Sequence, residues 1–198
     1  MELLDKLFEF VKETCDIFKI DESHALKHSM DVFRYSKLIY EAELVDNPDL
    51  EKHKNIIVIS AILHDMCDKK YMDEKIGLDR ILCFLVNKIR EKEIYVILDI
   101  ISSMSYSTVK KNGFPELGKY QLAFNIVREA DLLASYDFDR CVIFSMMHNG
   151  ASYSESFLNA KRLFETRMFK YIDDNLFTTV CGKKMAIKFH KDTLLNAI

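Results

Sequence analysis

Glycine and proline are scarce along this chain, and their scarcity limits the folds that it can adopt. The 198 residues include five glycines and two prolines. A β-sandwich or β-barrel needs a turn about every eight to twelve residues, usually one that contains glycine or proline. Apolar residues recur instead at helical spacing, as Leu3, Leu7, Phe10 and Val11 show near the N-terminus. We therefore predict an all-α protein.

The apolar periodicity predicts helices along most of the chain. The expected helical segments are residues 2–18, 21–44, 51–67, 74–90, 91–104, 120–135, 138–148, 153–173 and 179–196. Asp21 or Ser23 can cap the second helix, because their side-chain oxygens accept hydrogen bonds from its free N–H groups. Residues 105–118 hold two of the five glycines and one of the two prolines, which predicts a long loop. No stretch has the composition of a linker, so we predict one domain over residues 1–198.

Charge, cysteine usage and hydropathy argue against a nucleic-acid-binding protein, a disulfide-stabilised protein and a membrane protein. The 28 basic and 31 acidic residues give a net charge of −3, the wrong sign for a protein that binds long nucleic acid through its phosphates. The five cysteines are scattered without a C-x-x-C spacing, which is typical of reduced thiols in the cytoplasm. The most apolar stretch, residues 56–63, is much shorter than the ~20 residues of a membrane span. We expect a soluble cytoplasmic protein that binds neither long nucleic acid nor a membrane.

Two histidines, His24 and His28, lie four residues apart and share one face of the second predicted helix. The spacing H-x-x-x-H is known for metal ligands on helices. Metalloproteases that use it also need a glutamate directly after the first histidine, and Ala25 occupies that position, which excludes this activity. Taken alone, the pair fits ordinary surface or capping histidines better than a metal site.

A His-Asp pair, His64 and Asp65, ends the most apolar predicted helix. Burying either side chain without a partner is costly, so the pair marks either a metal site or the point where a helix emerges into water. Asp131 lies among small and apolar neighbours on a later predicted helix. Together with His28, these residues form one pattern: a histidine, a His-Asp pair 36 residues later and a distant aspartate, all on helices.

This pattern resembles the HD superfamily of metal-dependent phosphohydrolases. Residues 21–28 resemble its opening segment, residues 61–70 its His-Asp signature and residues 127–133 its closing aspartate helix. Residues 178–186 resemble the C-terminal helix of a branch of small HD hydrolases that includes nucleotide pyrophosphohydrolases. The similarity spans residues 20–195 and implies a single-domain HD-type helical bundle.

The resemblance implies that His28, His64, Asp65 and Asp131 hold a divalent metal ion. Two imidazoles and two carboxylates suit Mn²⁺, Fe²⁺, Co²⁺, Ni²⁺ or Zn²⁺. Such an ion lowers the pKa of its bound water to about 7 and polarises the phosphoryl oxygen under attack. Some members of the branch have a further histidine between the His-Asp pair and the last aspartate. Residues 100–106 contain none, so we expect a single metal ion.

The sequence departs from this branch at one further point. Its members often carry an arginine shortly after the first metal-binding histidine. Asp31 and Val32 occupy that region here, and Arg34 lies one helical turn further on. The combined motif is therefore more specific for the superfamily than for the substrate.

Charged residues near the expected ligands are candidates for catalysis and substrate binding. Lys69 follows the His-Asp pair closely enough to contact a phosphate group in the reaction. Asp68 either orients or deprotonates the attacking water, or pairs with Lys69 or Lys70 at a helix end. The loop predicted over residues 105–118 either closes over a substrate or is a solvated connection. Weaker candidates for contact with the substrate are His24, Lys110, Lys111 and Arg128.

These residues predict a metal-dependent phosphohydrolase that cleaves a phosphate ester or anhydride by attack of metal-bound hydroxide. The resemblance favours a small phosphorylated substrate, a nucleotide above all, and a nucleoside triphosphate among nucleotides. The alternative is a non-catalytic module that binds and senses a nucleotide. An oxygenase on the same scaffold would need further histidine ligands, which residues 102–106 do not supply.

Overall fold

The computed structural model describes residues 2–196, and all regular secondary structure in that range is helical. The α-helices are α1 (Leu3–Phe18), α2 (Leu26–Glu43), α3 (Lys54–Leu63), α4 (Glu74–Leu85), α5 (Glu91–Ser103), α6 (Tyr106–Asn112), α7 (Gln121–Ala134), α8 (Phe138–Asn149), α9 (Tyr153–Thr166) and α10 (Val180–Asn196). Short 3₁₀ segments lie at Pro48–His53, Gly118–Tyr120 and Met168–Lys170. The all-α prediction is confirmed. Residues 1, 197 and 198 of the predicted domain lie outside the described residues.

Helix α3 forms the centre of the bundle because it is apolar on nearly all sides. Ile59, Ile62 and Leu63 are fully buried, and helices α1, α2, α5 and α7 pack around α3. Burial of each such side chain stabilises the fold by roughly 1.5–3 kcal/mol. This packing also holds the C-terminal end of α3, and therefore His64 directly after it, at a fixed place in the interior.

Helix α7 packs against both α2 and α3. Its buried side chains include Phe124, Val127 and Ala130, which face the core. Because α2 and α7 lie side by side, they bring together His28 and Asp131, which are more than 100 residues apart in the sequence. Within residues 2–196, no helix is both long and apolar enough to cross a membrane.

Helix α2 begins later than the capping prediction indicates. Ser23 donates its backbone N–H and its hydroxyl to Asp21 Oδ1, over 2.9 and 2.5 Å. Such a local side-chain turn competes with capping. The helix therefore starts at Leu26, after Ala25, which has no side-chain cap. The third predicted helix also starts differently, because the 3₁₀ segment at Pro48–His53 precedes α3.

The segment predicted as a long loop, residues 105–118, contains the short helix α6. Ser105 caps it, since its Oγ accepts a hydrogen bond from the N–H of Thr108 over 3.2 Å. Gly113 ends it at a φ of +78°, a conformation that glycine adopts without steric cost. The loop prediction was wrong for the helical residues, because seven residues are too few to produce a clear apolar periodicity.

A buried carboxylate attaches helix α10 to α7. Glu129 is fully buried, and its Oε1 accepts the backbone N–H groups of Thr178 and Thr179 over 2.5 and 3.0 Å. The hydroxyl groups of both threonines donate to the same carboxylate. Thr179 Oγ1 in turn accepts the N–H of Gly182 over 2.9 Å, so Thr179 caps α10 and Glu129 anchors this cap to α7. Gly182 leaves room for this carboxylate, because a Cβ there would collide with Glu129 Oε2.

Candidate metal centre

Four side chains from α2, from the turn after α3 and from α7 meet at one point. The Nε2 atoms of His28 and His64 lie 3.0 Å apart. Asp65 Oδ2 lies 3.2 Å from His28 Nε2. Asp131 Oδ1 lies 3.4 Å from His28 Nε2 and 3.7 Å from His64 Nε2. The structure thus brings together the four side chains that the resemblance implies as metal ligands.

The His64 ring is oriented as a metal ligand requires. Its Nδ1 lies 3.0 Å from the carbonyl oxygen of Ala61. Because a carbonyl oxygen only accepts hydrogen bonds, Nδ1 carries the proton of the neutral ring and Nε2 keeps its lone pair. That lone pair faces the other three side chains. Histidines that bind metals commonly donate their second ring nitrogen in this way.

The donor set around these rings fits a divalent cation. His28, His64 and Asp65 offer ligand atoms that all lie within 4.8 Å of one another, so this group could hold a metal ion. Among the described residues, none donates a hydrogen bond to the buried Oδ2 of Asp65, although His28 Nε2 lies 3.2 Å from it. A buried carboxylate oxygen without a partner is costly, and a bound cation would compensate it.

Protons occupy this centre when no cation balances the carboxylates. Burial lowers the pKa of His64, but the charges of Asp65 and Asp131 outweigh burial and raise it to about 9. Burial raises the pKa values of the two aspartates, but the nearby His64 and His28 rings hold both below their usual range. A metal ion must therefore displace a proton from His64, since metals bind the neutral ring.

A cavity of about 540 Å³ opens onto these ligands. Its volume lies in the range of sites for small molecules. Four basic side chains line it, those of Lys69, Lys70, Arg140 and Arg167. Four carboxylates line it as well: Asp65 and Asp131, together with Glu74 and Asp68, which pair with Lys69 and Lys70. Several positive charges beside a cation site are complementary to the phosphate groups of a substrate.

Three of the other residues expected at the site line this cavity. His24 is buried in its wall. Lys69 lies on the rim, where its Nζ pairs with Glu74 over 3.0 Å. Asp68 pairs with Lys70 Nζ over 3.1 Å and accepts its backbone N–H over 2.8 Å. Asp68 was expected either to act on the attacking water or to pair with a neighbouring lysine. The structure shows the ion pair with Lys70, and both residues line the cavity.

The remaining candidates for substrate contact lie elsewhere. Arg128 is 1 % exposed, and its Nη1 donates to the carbonyl oxygen of Leu176 over 2.7 Å. Lys110 lies over the ring of Tyr106, with its Nζ 5.5 Å from the ring centre, and Lys111 is exposed near the end of α6. Within residues 2–196, the structure does not place Arg128, Lys110 or Lys111 on the cavity wall. The two lysines are held on a helix instead of a loop.

The sequence did not single out Arg140, which lies beside the metal ligands. Its side chain is 16 % exposed, and its Nη2 lies 3.8 Å from Asp65 Oδ2. Its Nε donates to the carbonyl oxygen of Ser23. No local signal marks this arginine, because its proximity to Asp65 depends on how α8 lies against the start of α2.

A second arginine, Arg167, lines the cavity although no feature of the sequence indicates it. Its Nε donates to the hydroxyl of Tyr171 over 2.9 Å, and its guanidinium lies 4.3 Å from the ring centre of Tyr106. It follows α9 directly, and nothing in its neighbours indicates that it reaches a site. Ser135, by contrast, lines the cavity one helical turn after Asp131 and could have been found from that spacing.

Comparison with known proteins shows similarity at the level of the fold. No protein-family model matches the sequence, and no curated protein matches it. Two crystal structures of YpgQ from Bacillus subtilis match with a TM-score of 0.66 and 18 % sequence identity. The matches cover 97 % of this chain and 91 % and 92 % of the YpgQ chains, and one structure is a complex of YpgQ with ADP. The chain therefore shares its helical fold with YpgQ, and an all-helical architecture is consistent with the helical bundle that the sequence resemblance implies.

Proposed function

We propose that this protein is a divalent-metal-dependent phosphohydrolase that acts on a nucleotide or a similar small phosphorylated compound. One observation carries the proposal. Two imidazoles and two carboxylates from three parts of the chain meet beside a cavity, and three of them, His64, Asp65 and Asp131, line it together with four basic side chains. Phosphate oxygens bind both divalent cations and basic side chains, so the two features suit the same ligand.

The metal ligands in this proposal are His28, His64, Asp65 and Asp131. A divalent ion held there supplies Lewis acidity toward water and toward a phosphoryl oxygen. Arg140 is placed to bind a phosphate group next to the ion, because it lies against Asp65 and is largely shielded from water. A shielded guanidinium binds an oxyanion more strongly than an exposed one, since less water competes with it.

Asp68 is the candidate for orienting the attacking water and accepting its proton. It lines the cavity, and two hydrogen bonds from Lys70 hold its carboxylate in place. Lys69 is the more exposed of the two lysines, at 71 %, and would contact phosphate only after leaving Glu74. Both residues follow the metal-binding Asp65 closely, which places them on the same side of the cavity.

A nucleotide suits this cavity because of its volume and its aromatic rings. Tyr106 and Phe144 line the wall, where Arg167 lies over the first ring and Lys70 over the second, so a base would pack beside these aromatic and cationic groups. YpgQ, which shares the fold, crystallised with ADP. A nucleoside triphosphate is our first candidate, since several phosphate groups would use several of the basic side chains. The five free cysteines fit a cytoplasmic enzyme.

A turnover assay tests the proposal. Protein supplied with Mn²⁺, Co²⁺, Ni²⁺ or Mg²⁺ should hydrolyse a member of a panel that contains a generic phosphate ester and nucleoside mono-, di- and triphosphates. His64→Ala and Asp65→Ala should abolish turnover, whereas Lys75→Gln, at an exposed position on α4, should retain it. Equal turnover in the two ligand variants would contradict the site. Thermal stabilisation by a nucleotide without turnover would support the sensing module instead.

A further inference from the structure

Lys70 is held at the cavity wall by several neighbours. Its Nζ lies 2.9 Å from His24 Nε2, 3.1 Å from Asp68 Oδ2 and 5.5 Å from the centre of the Phe144 ring. Its side chain is 44 % exposed, against 71 % for Lys69. Of the two adjacent lysines, Lys70 is therefore the less exposed one, and its ammonium group is held against the wall of the cavity by His24 and Asp68.

A chain of hydrogen bonds runs from Lys70 through His24 and Ser23 to Asp21, and it determines which ring nitrogen of His24 carries the proton. An ammonium group only donates, so His24 Nε2 accepts from Lys70 and the ring proton is on Nδ1. Nδ1 then donates to Ser23 Oγ over 2.6 Å, and Ser23 Oγ donates to Asp21 Oδ1 over 2.5 Å. The hydroxyl of Tyr71 donates to the second oxygen of Asp21 over 2.6 Å. Each donor in the chain finds an acceptor.

The ring of His24 is neutral, and both of its nitrogens form hydrogen bonds. Burial, assisted by the charges of Arg140 and Lys70, lowers its pKa to about 3 against the opposing charge of Asp65. A neutral ring can accept a hydrogen bond from an ammonium group, whereas a charged one would repel it. Both ring nitrogens already have partners, so His24 has none left for a phosphate oxygen.

We propose that Lys70 is the lysine that binds the phosphate group of the substrate, and that His24 is a positioning residue that acts through it. Ser23 and Asp21 anchor His24 in turn. An ammonium group has three protons, of which His24 and Asp68 take two, and the third is available to an oxygen in the cavity. The inference rests on the proposed function and deepens it, because it assigns to Lys70 the contact expected of Lys69.

Phosphate binding, measured without turnover, tests the role of Lys70. Calorimetric titration of the Mn²⁺-loaded protein with inorganic phosphate should show about tenfold or greater loss of affinity in Lys70→Gln, as for loss of a hydrogen bond to a charged group. The neighbouring variant Lys69→Gln should lose less. An unchanged affinity in Lys70→Gln, a greater loss in Lys69→Gln, or no phosphate binding by the unaltered protein would overturn the proposal.

Two substitutions of His24 separate positioning from general stability. Glutamine can place an amide oxygen near the position of Nε2 and still accept from Lys70, whereas asparagine reaches only the position of Nδ1. His24→Asn should therefore lower phosphate affinity about as much as Lys70→Gln, and His24→Gln should lower it less. In the Lys70→Gln background, His24→Asn should cause no further loss. A further loss in the double variant, or equal losses in the two single variants, would contradict positioning through Lys70.

Different results would reject the phosphohydrolase activity and the role of Lys70. Hydrolysis that requires His64 and Asp65, with phosphate affinity insensitive to Lys70→Gln, would reject the role of Lys70 alone. Phosphate binding that depends on Lys70, in a protein that hydrolyses no compound of the panel, would reject the phosphohydrolase and retain the anion-binding role.

Discussion

The Nε2 atoms of His28 and His64 lie 3.0 Å apart, although 36 residues separate them in the chain. They meet because α2 packs directly against α3, with one ring on α2 and the other at the end of α3. Two nitrogen lone pairs at this distance repel each other unless a proton or a cation lies between them. Near-contact of the two rings, with carboxylates beside them, therefore favours binding of a positive ion.

Removing the charge of Asp131 should weaken metal binding. Asp131→Asn keeps the size of the side chain but removes the charge that faces both imidazoles. Loss of a group that merely supports a ligand costs about 10–100-fold in metal affinity, so we expect at least about 100-fold for Mn²⁺ or Co²⁺. Competition with a chelator of known affinity measures the dissociation constant of the metal ion in each variant. Asp99→Asn, at an exposed position on α5, is the control. Equal affinities in the two variants would exclude Asp131 as a ligand.

Acid should destabilise the protein partly through His24. Its pKa is about 3 in the folded protein and 6.5 ordinarily. Below pH 6.5 the unfolded chain binds a proton there that the folded protein does not, so stability is lost as the pH falls from 6.5 toward 3. His24→Gln removes this proton uptake, which corresponds to a difference of the order of 3 kcal/mol at pH 4.

Urea unfolding of both proteins at several pH values between 7 and 4 measures this effect. The carboxylates titrate in both proteins, so the difference between the two curves isolates His24. The free energy of unfolding should fall less steeply in His24→Gln as the pH is lowered. Parallel curves would show that the pKa of His24 is not depressed.

The contact between Glu129 and the start of α10 should not tolerate a side chain at Gly182. A Cβ at this position would collide with Glu129 Oε2 and lie 2.8 Å from Thr179 Oγ1. Overpacking of this kind typically costs about 1–3 kcal/mol, so Gly182→Ala should lower the free energy of unfolding by that amount. Lys183→Ala, at the next and exposed position, should change it by less than about 0.5 kcal/mol. A similar stability of both variants would argue against the buried contact.

The cysteines should differ in reactivity toward iodoacetamide. Burial, with the charge of Asp65, raises the pKa of Cys67 to about 12, and burial raises that of Cys141 to about 11. Cys83 is exposed. Because the thiolate is the reactive form, Cys83 should be labelled first at pH 8, as mapped by mass spectrometry. All five should react in urea. Labelling of Cys67 as fast as Cys83 in the folded protein would contradict its buried position.

The helical architecture was predictable because helices depend on short-range periodicity. The apolar pattern placed α1 and α7 within a residue or two, and the break at Pro48 was also expected. Helix ends were less predictable. Asp21 and Ser23 bond to each other instead of capping α2, and α6 forms where a loop was expected. Both differences arise from side-chain hydrogen bonds that several local conformations could have satisfied.

The metal-binding pattern was also visible in the sequence, whereas most of the cavity wall was not. His64 and Asp65 stood out because they end an apolar helix and need a partner when buried. His28 and Asp131 joined them only because the combined pattern resembles that of the HD superfamily. Arg140 and Arg167 did not stand out, because a basic residue has the same local sequence whether it faces water or a cavity. Their positions follow from the packing of α8 and α9.

The amino-acid sequence is sufficient to predict a helical chain, and its resemblance to the HD superfamily nominates two histidines and two aspartates as ligands for a cation. These properties depend on residue chemistry and on spacing within single helices. The burial of Arg128 against Leu176 and the contact of Lys70 with His24 become visible only once the helices are packed. The environment of a charged side chain depends on contacts between helices that are distant in the chain. Such contacts cannot be predicted from the residues next to that side chain in the sequence.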